Sequence, residues 1–139
     1  FDIVVHELEQ NDLKFCQEAL KNYDQIKPVI WYGDLFRLSD PKENSVASLM
    51  YVDDQKDLGV IFSYLVNDRY GEGSKLPIKL KGLDAKKRYS IKEINLYPGA
   101  RTRLDGSKTY SGEYLMKVGF NAEVSARRAS VVCEFEVVE

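Results

Sequence analysis

The side chains best suited to metal binding or nucleophilic catalysis are few and far apart in this sequence. The chain has one histidine, His6, and two cysteines, Cys16 and Cys133, near opposite ends. Zinc ligands come in closely spaced pairs, and a nucleophilic cysteine needs a base beside it. Cys16 falls on the apolar side of a predicted helix and Cys133 on the inward face of a predicted strand, where free cysteine usually acts as a small hydrophobic residue. The sequence therefore predicts no metal centre, no catalytic cysteine and no cofactor.

Carboxylates are abundant, but their spacing does not single out a reactive pair. Asp53, Asp54 and Asp57 offer the oxygen ligands that calcium prefers, yet the segment lacks the glycine and the ligand alternation of a calcium loop. A solvated hairpin turn is the favoured interpretation of these residues. Glycoside hydrolysis needs two carboxylates at a set separation, and no two acids of this chain stand out for that role. We therefore expect no independent active site.

Positive charge is concentrated in residues 75–108, where basic side chains outnumber acidic ones. Such a stretch can bind nucleic acid or another anion. Lys79 and Lys81 alternate along a predicted strand, however, as they would on a solvated strand face or at a lysine-protected sheet edge. The net charge is −2 and no RNA-binding motif accompanies the stretch, so we expect no nucleic-acid partner. No apolar run approaches the length of a membrane helix, so we expect no membrane partner.

Aromatic side chains suggest another kind of site, because sugar-binding proteins stack sugar rings on exposed aromatic rings. Trp31, Tyr32 and Tyr70 are the candidates for such contacts. The alternative is that these rings fill the core or an interface, which the apolar run around Trp31 and Tyr32 favours. Both interpretations stay open from the sequence.

One long helix, over residues 12–27, is predicted to position part of this surface. Asn11 or Asp12 can cap its start, and Pro28 is expected to end it because proline lacks an N–H and clashes with the preceding turn. The helix has one apolar side, which must be buried against a sheet or against protein outside this chain. That side consists of Leu13, Cys16, Leu20 and Tyr23, with Ala19 and Ile26 beside them.

The rest of the chain is predicted to be β structure. Runs rich in β-branched and aromatic residues alternate with turn signals such as Pro98-Gly99 and Asp105-Gly106. Several short strands without further helical crossovers are typical of an antiparallel β-sandwich of the Greek-key type. One short helical turn is expected at Ser111–Val118. The predicted strands are Val29–Leu38, Val46–Val52, Leu58–Val66, Ile78–Leu83, Arg88–Leu96 and Ala129–Val138.

The length of 139 residues suits one domain, and the composition is that of an ordinary globular protein. The chain begins at Phe1 rather than at a methionine, and its first residues are apolar. They lack the basic region and the longer apolar stretch of a secretory leader. We therefore expect the chain to derive from a longer one.

Two runs of residues are distinctive as whole motifs, Tyr32–Leu38 (YGDLFRL) and Ser111–Gly119 (SGEYLMKVG). Together with Leu13–Leu38, Ala47–Val52 and Leu96–Pro98 (LYP), they resemble the C-terminal portion of bacterial α-galactosidases of the melibiase type, glycoside hydrolase family thirty-six. The resemblance covers most of the chain.

The resemblance implies a domain arrangement. In that family a large β-sandwich precedes a (β/α)₈ barrel, and a C-terminal antiparallel β-sandwich follows the barrel. Residues 1–28 would then form the last helix region of the barrel and residues 29–139 the C-terminal sandwich. The helix would bury its apolar side on the barrel. The residues implied to meet the barrel are Leu13, Cys16, Leu20, Tyr23, Trp31 and Phe36.

The resemblance carries over no catalytic residue. The family uses two barrel aspartates as nucleophile and acid/base, and its Lys-Trp-Asp-like nucleophile motif is absent here because Trp31 lies between Ile30 and Tyr32. At Phe120 the family usually has leucine, an exchange between apolar residues. The implied function is a non-catalytic domain that stabilises the barrel of an enzyme hydrolysing terminal α-galactosides.

The implied partners are the barrel of the same polypeptide and, through the parent enzyme, its α-galactoside substrate. A homo-oligomer of the full-length enzyme is left open. The main alternative function is a carbohydrate-binding module for galactosides, which would need several exposed, coplanar aromatic rings.

Overall fold

The computed structural model describes residues 4–67 and 76–138. Among them a 3₁₀ turn and a long helix come first, and short strands with one further short helix follow. The elements are a 3₁₀ turn at Val5–Glu7, helix α1 (Gln10–Tyr32), strands β1 (Asp34–Arg37), β2 (Val46–Val52), β3 (Leu58–Leu65), β4 (Arg88–Ile94) and β5 (Thr109–Ser111), helix α2 (Gly112–Lys117) and strand β6 (Ser130–Val137).

The strands form one antiparallel sheet in the order β1-β2-β3-β6-β4-β5. The predicted mainly β, antiparallel fold preceded by one amphipathic helix is thereby confirmed. Among the described residues the strands form a single sheet, and the place of a sandwich's second sheet is taken by α2 and irregular segments. Helix α1 packs on one face of the sheet, over β1, β2 and β3. The other face is covered by α2 and by the irregular segments 78–83 and 120–124, whose apolar residues belong to the same buried cluster.

The hydrophobic core lies between the sheet and this second layer. Strand alternation places Met50, Ile61 and Cys133 side by side on the inner face, because each is paired with the next across the sheet. The edge-to-face pair of Tyr89 and Phe135, with ring centroids 5.8 Å apart, fills the centre. The other buried apolar residues of this cluster are Val46, Val52, Leu80, Leu83, Ile91, Leu115, Phe120, Ala122, Val124 and Val131.

Helix α1 does not end at Pro28 as predicted but continues to Tyr32. Without an N–H on Pro28, the carbonyl of Asp24 loses its usual helical partner. The side chains on either side of the proline, Ile26 and Val29, are buried, and tertiary packing of this kind overrides local propensity. The predicted strand at Val29–Leu38 is therefore reduced to the four residues of β1, which begin after the helix C-cap Gly33.

The predicted start of the helix is also wrong. The helix begins at Gln10, its N-cap is Glu9, and no side chain makes a capping hydrogen bond there, so neither Asn11 nor Asp12 caps it. The predicted domain boundary between residues 28 and 29 consequently falls inside α1 rather than at its end. The assignment of residues 1–28 to a preceding barrel stays a prediction.

The remaining strand predictions are mostly confirmed. Strand β2 has the predicted bounds, and β3, β4 and β6 differ from theirs by one or two residues at an end. The predicted strand at Ile78–Leu83 is wrong, because only Ile78 forms an isolated bridge, with Phe120. Strand β5 was not predicted, and the expected helical turn after it is α2, where the Ser111 hydroxyl accepts a hydrogen bond from the Tyr114 N–H at 3.1 Å.

Candidate docking surface

The residues with reactive side chains do not converge on a site. Within residues 4–67 and 76–138, no group of histidine, cysteine and acidic residues is arranged to hold a metal ion. Cys133 is 1% exposed, and burial, with the nearby Glu93 carboxylate as a further cause, raises the pKa of its thiol to about 12. A thiol with so high a pKa is a poor nucleophile at neutral pH. Cys16 is half-buried on α1, and His6 lies in the 3₁₀ turn.

The acidic segment Asp53–Asp57 forms the hairpin turn between β2 and β3, as expected. A carboxylate oxygen of Asp53 accepts hydrogen bonds from the backbone N–H groups of Asp57 and Leu58, at 2.8 and 3.2 Å. The Asp57 carboxylate pairs with Lys87, whose Nζ lies 2.7 Å away. These acids therefore stabilise the turn.

Lys79 and Lys81 are exposed, as expected, but they lie on the irregular segment 78–83 and not on the predicted strand face. Lys92 pairs with Glu134 across the sheet at 3.0 Å, and that hydrogen bond raises the pKa of the lysine. At the sheet edge, Lys81 Nζ donates to the backbone carbonyl of Arg37 in β1 at 3.0 Å. An open pocket of about 390 Å³ lies beside this contact, without an aromatic ring in its lining of Arg37, Leu38, Ser39, Asp40, Pro41 and Lys81.

An exposed apolar stripe runs along α1, beside the side of the helix that packs on the sheet. Leu20, Tyr23 and Trp31 are 48%, 42% and 63% exposed, and Leu13 and Cys16 are half-buried. At 3.6 residues per turn, Leu13 and Leu20 lie about two turns apart and Trp31 about three turns further on, so they share one side of the helix. We call these five residues the α1 stripe. The predicted apolar side therefore exists, and the described protein leaves it exposed.

The sheet-facing side of α1 consists of other residues. Ile26 and Val29 are 3% and 6% exposed, so Ile26 belongs to this buried side and not to the stripe, in contrast to the prediction. Two aromatic rings and a valine on the outer face of the sheet, Tyr51, Phe62 and Val60, lie on the strands beneath the helix. The sheet is therefore already covered by one side of α1, and the stripe is a second apolar surface.

The exposed apolar area continues beyond the stripe onto the end of the helix and the first strand. Tyr32 is 78% exposed and Leu35 is 48% exposed. Phe36, predicted to meet a barrel, packs its ring on the core against Gly82 and is half-buried. Its contact with a barrel stays a prediction. Of the predicted sugar contacts, Trp31 and Tyr32 are neighbours whose ring planes make an angle of 77°, unlike a coplanar platform. Tyr70 lies outside the described residues.

The first two thirds of α1 are held by a loop that sequence reasoning did not assign to any site. The Asn22 side-chain amide donates to Asn95 Oδ1 at 2.8 Å. The Tyr97 hydroxyl donates to Asp12 Oδ1 at 2.8 Å, a bond that raises the pKa of that hydroxyl, and its ring lies 5.7 Å from Phe15. The only sequence signal was the LYP run at 96–98, which gives no indication of its contacts.

The geometry is thus that of a mainly β domain whose attached helix presents exposed apolar side chains, a surface of the kind that marks interaction sites. Residues 46–135, more than half of the chain, match the glycosyl hydrolase family 36 C-terminal domain. The chain belongs to this family. No described helix combines the length and apolar character needed to cross a membrane.

Curated relatives share the same part of their sequences with this chain. Alpha-galactosidase 1 of Pediococcus pentosaceus is 25% identical over 120 residues, covering 86% of this chain and 15% of the relative. Alpha-galactosidase 2 of Hypocrea jecorina is 23% identical over 131 residues, covering 91% of this chain and 16% of the relative. The chain therefore spans about a sixth of the length of these relatives.

Solved structures show the same fold. The GH36 alpha-galactosidase AgaA of Geobacillus stearothermophilus superposes with a TM-score of 0.76 at 19% identity, over 96% of this chain and 17% of that one. The alpha-galactosidase of Lactobacillus brevis superposes with a TM-score of 0.75 at 17% identity, over 99% of this chain and 18% of that one. In both, most of the protein lies outside the region that resembles this chain.

Proposed function

We propose that this chain is the non-catalytic C-terminal domain of an α-galactosidase, and that it packs on the catalytic barrel of that enzyme through the α1 stripe. The parent enzyme would hydrolyse terminal α-galactosides, as the names of the relatives indicate for those proteins. The observation that carries the proposal is that α1 has two apolar sides, of which the described protein buries only one.

The composition of the stripe suits a permanent contact. Full burial of a large apolar side chain is worth about 1.5–3 kcal/mol relative to leaving it in water. Tryptophan and tyrosine are also the residues that most often dominate binding energy at interfaces. Leu20, Tyr23 and Trp31 lie on one side of the helix, with the ion pair of Lys27 and Asp24 between Tyr23 and Trp31. A partner groove would therefore be apolar at both ends and polar between them.

The rest of the sheet's outer face offers no comparable surface among the described residues. On β4 and β6 it presents Arg88, Lys92, Glu134 and Glu136, which engage one another or neighbouring polar groups. A polar face of this kind interacts well with water. The apolar stripe is therefore the side from which a larger partner would be met.

A non-catalytic role is supported by the structural engagement of four acidic side chains in the sheet and its turns. Asp53 stabilises a turn, Asp57 and Glu134 pair with lysines, and Glu93 pairs with Arg128. The resemblance places the reacting aspartates of the family on the barrel, outside the C-terminal sandwich.

The test uses Leu20→Lys, with Gln25→Lys as a matched control that puts the same charge on another exposed side of α1. Both variants should leave the unfolding free energy of the 139-residue chain within about 0.5 kcal/mol of the original. In the longer enzyme that the proposal implies, Leu20→Lys should lower the temperature of half-inactivation by several degrees. Gln25→Lys should leave that temperature unchanged. Equal effects of the two variants would contradict the proposed docking side.

Two assays on the 139-residue chain test the rest of the proposal. The 139-residue chain should not hydrolyse an aryl α-galactoside. Hydrolysis that one point mutation in this chain abolishes would overturn the non-catalytic assignment. Titration with galactose or a raffinose-type oligosaccharide should leave the fluorescence of Trp31, the single tryptophan, unchanged. Saturable binding at millimolar concentration would favour a carbohydrate-binding module instead.

A further inference from the structure

Helix α1 is attached to the rest of the protein in two places of different character. Its last turns are held by the buried side chains Ile26 and Val29. Between Gln10 and Tyr23 no side chain is fully buried. In this region the side-chain hydrogen bonds and the aromatic contact that join the helix to the rest of the described protein are made by the loop after β4.

That loop, residues 95–98 (Asn-Leu-Tyr-Pro), is itself held in a defined shape. Asn95 has a φ of 58°, in the left-handed region that asparagine tolerates better than most residues. Pro98 and Gly99 form the middle of a turn closed by a hydrogen bond from the Ala100 N–H to the Tyr97 carbonyl at 2.8 Å, and Gly99 has a φ of 85°. The turn therefore presents Asn95 and Tyr97 to the helix from a fixed position.

Pro28 lies within the second attachment, between Ile26 and Val29. Because the Asp24 carbonyl has no N–H partner at residue 28, the helix lacks one hydrogen bond over residues 24–28, just after the segment that the loop holds. Such an interruption is where helices bend. A helical segment of about 15 residues is also only marginally stable in water by itself, so residues 10–24 depend on what holds them.

We propose that loop 95–98 is a latch that fixes the angle of residues 10–24 on the sheet and so sets the orientation in which the α1 stripe meets an apolar groove of the catalytic barrel. The partner in this inference rests on the proposed function, but the latch rests on the contacts alone. Asn95 and Tyr97 are positioning residues that act through Asn22, Asp12 and Phe15.

Hydrogen exchange of the 139-residue chain tests the latch without reference to any enzyme. The variant combines Asn95→Gly, which keeps the left-handed φ but removes the amide, with Tyr97→Phe, which removes only the hydroxyl. Amide exchange in residues 14–24 should accelerate about tenfold, while residues 29–32 and strand β3 keep their rates. Acceleration of all these regions together, or of none, would overturn the latch.

Two further variants separate the latch from a general effect on folding. Asn95→Asp keeps an oxygen that can accept the Asn22 amide and should preserve the original exchange pattern. Tyr114→Phe, at an exposed tyrosine on α2, should change nothing in α1. An acceleration of residues 14–24 by Tyr114→Phe equal to that of the double variant would overturn the assignment to loop 95–98.

In the longer enzyme, the double variant should lower the temperature of half-inactivation, although it changes no residue of the α1 stripe or of the barrel groove. Selective loosening of residues 14–24 without any change in the enzyme would overturn the orienting role of the latch. The proposed docking surface is contradicted by a different result, namely equal temperatures of half-inactivation for Leu20→Lys and Gln25→Lys.

Discussion

Arg128 Nη2 donates to Glu93 Oε1 at 2.5 Å, joining two residues that are 35 positions apart in the sequence. The Glu93 side chain is 5% exposed and that of Arg128 is 18% exposed. Glu93 lies opposite Cys133 on the inner face of the sheet, and Arg128 follows the segment that covers this face. The ion pair therefore ties the covering segment to strand β4.

Loss of one member of this pair should be costly. Arg128→Ala leaves a buried carboxylate without its partner and should lower the unfolding free energy by about 3–5 kcal/mol, measured by urea denaturation. Arg127→Ala, at the exposed neighbour, should change it by no more than about 0.5 kcal/mol. Equal values for the two variants would show that the pair contributes nothing.

The two cysteines should differ sharply in reactivity. Cys16 is half-buried on the helix, whereas Cys133 is buried and has a thiol pKa of about 12. A disulfide reagent at pH 8 should modify one thiol per folded chain and two in concentrated urea, because the reactive form is the thiolate. Mass spectrometry of the peptides should place the first label on Cys16. Labelling of Cys133 in the folded chain would contradict the burial and the raised thiol pKa of this residue.

The same thiol predicts a pH dependence of stability. Its pKa is raised from 9.0 to about 12 in the folded protein, so the folded state retains a proton that the unfolded state releases. This contribution to stability is fully present below about pH 9 and is lost as the pH rises towards 12, by up to about 1.4 kcal/mol per pH unit. Urea denaturation should show that the unfolding free energy decreases less between pH 8 and pH 10.5 for Cys133→Ala than for the original chain. Equal decreases in the unfolding free energy of the two proteins would show that the Cys133 thiol is not the cause.

Gly59 is required by the ring that covers it. A Cβ at this position would overlap the ring of the buried Phe135 and lie 2.6 Å from the Tyr51 carbonyl oxygen. Gly59→Ala should therefore destabilise the protein by about 1–3 kcal/mol, the usual cost of overpacking a core. At Gly106 a Cβ would meet nothing within 4 Å, so thermal denaturation of Gly106→Ala should show little change. A fully stable Gly59→Ala would mean that Phe135 can move aside.

The buried hydroxyl pair of Ser48 and Ser63 should behave as a unit. Ser48 Oγ donates to Ser63 Oγ at 3.0 Å, and the two residues are 4% and 0% exposed. Ser63→Ala leaves the Ser48 hydroxyl without its partner and should cost about 1–3 kcal/mol, whereas the double alanine variant should cost less than the sum of the single ones. Additive values in a double-mutant cycle would show that the hydroxyl groups are independent.

The sheet was largely predictable because its strands combine alternation with clear turn signals. Val46–Val52 has its predicted bounds since one side of the strand is buried and Asp53 begins a turn. Ile78–Leu83 has a similar composition, but its side chains cover the sheet from the second layer instead of extending it. Strand β5 has only three residues, too few for a periodic pattern to stand out.

The docking surface was only partly predictable. The spacing of Leu13, Leu20 and Tyr23 indicated an apolar side of the helix, but Ile26 was grouped with them because helical spacing alone does not show which residues face the sheet. Trp31 was expected in a strand, since proline is a strong local signal and the packing that overrides Pro28 is a tertiary effect. The contacts of Tyr97 with Asp12 depend on residues 85 positions apart, which no local pattern reveals.

The bond from Lys81 to the Arg37 carbonyl has a consequence for how this protein would aggregate. The outermost strands, β1 and β5, have four and three residues, and the lysine occupies an acceptor on the β1 edge. Short edges that carry a lysine are poor templates for strand addition, the step by which amyloid grows. Self-association of the isolated chain should therefore begin at the helix and yield oligomers that keep their native circular dichroism and bind thioflavin T weakly.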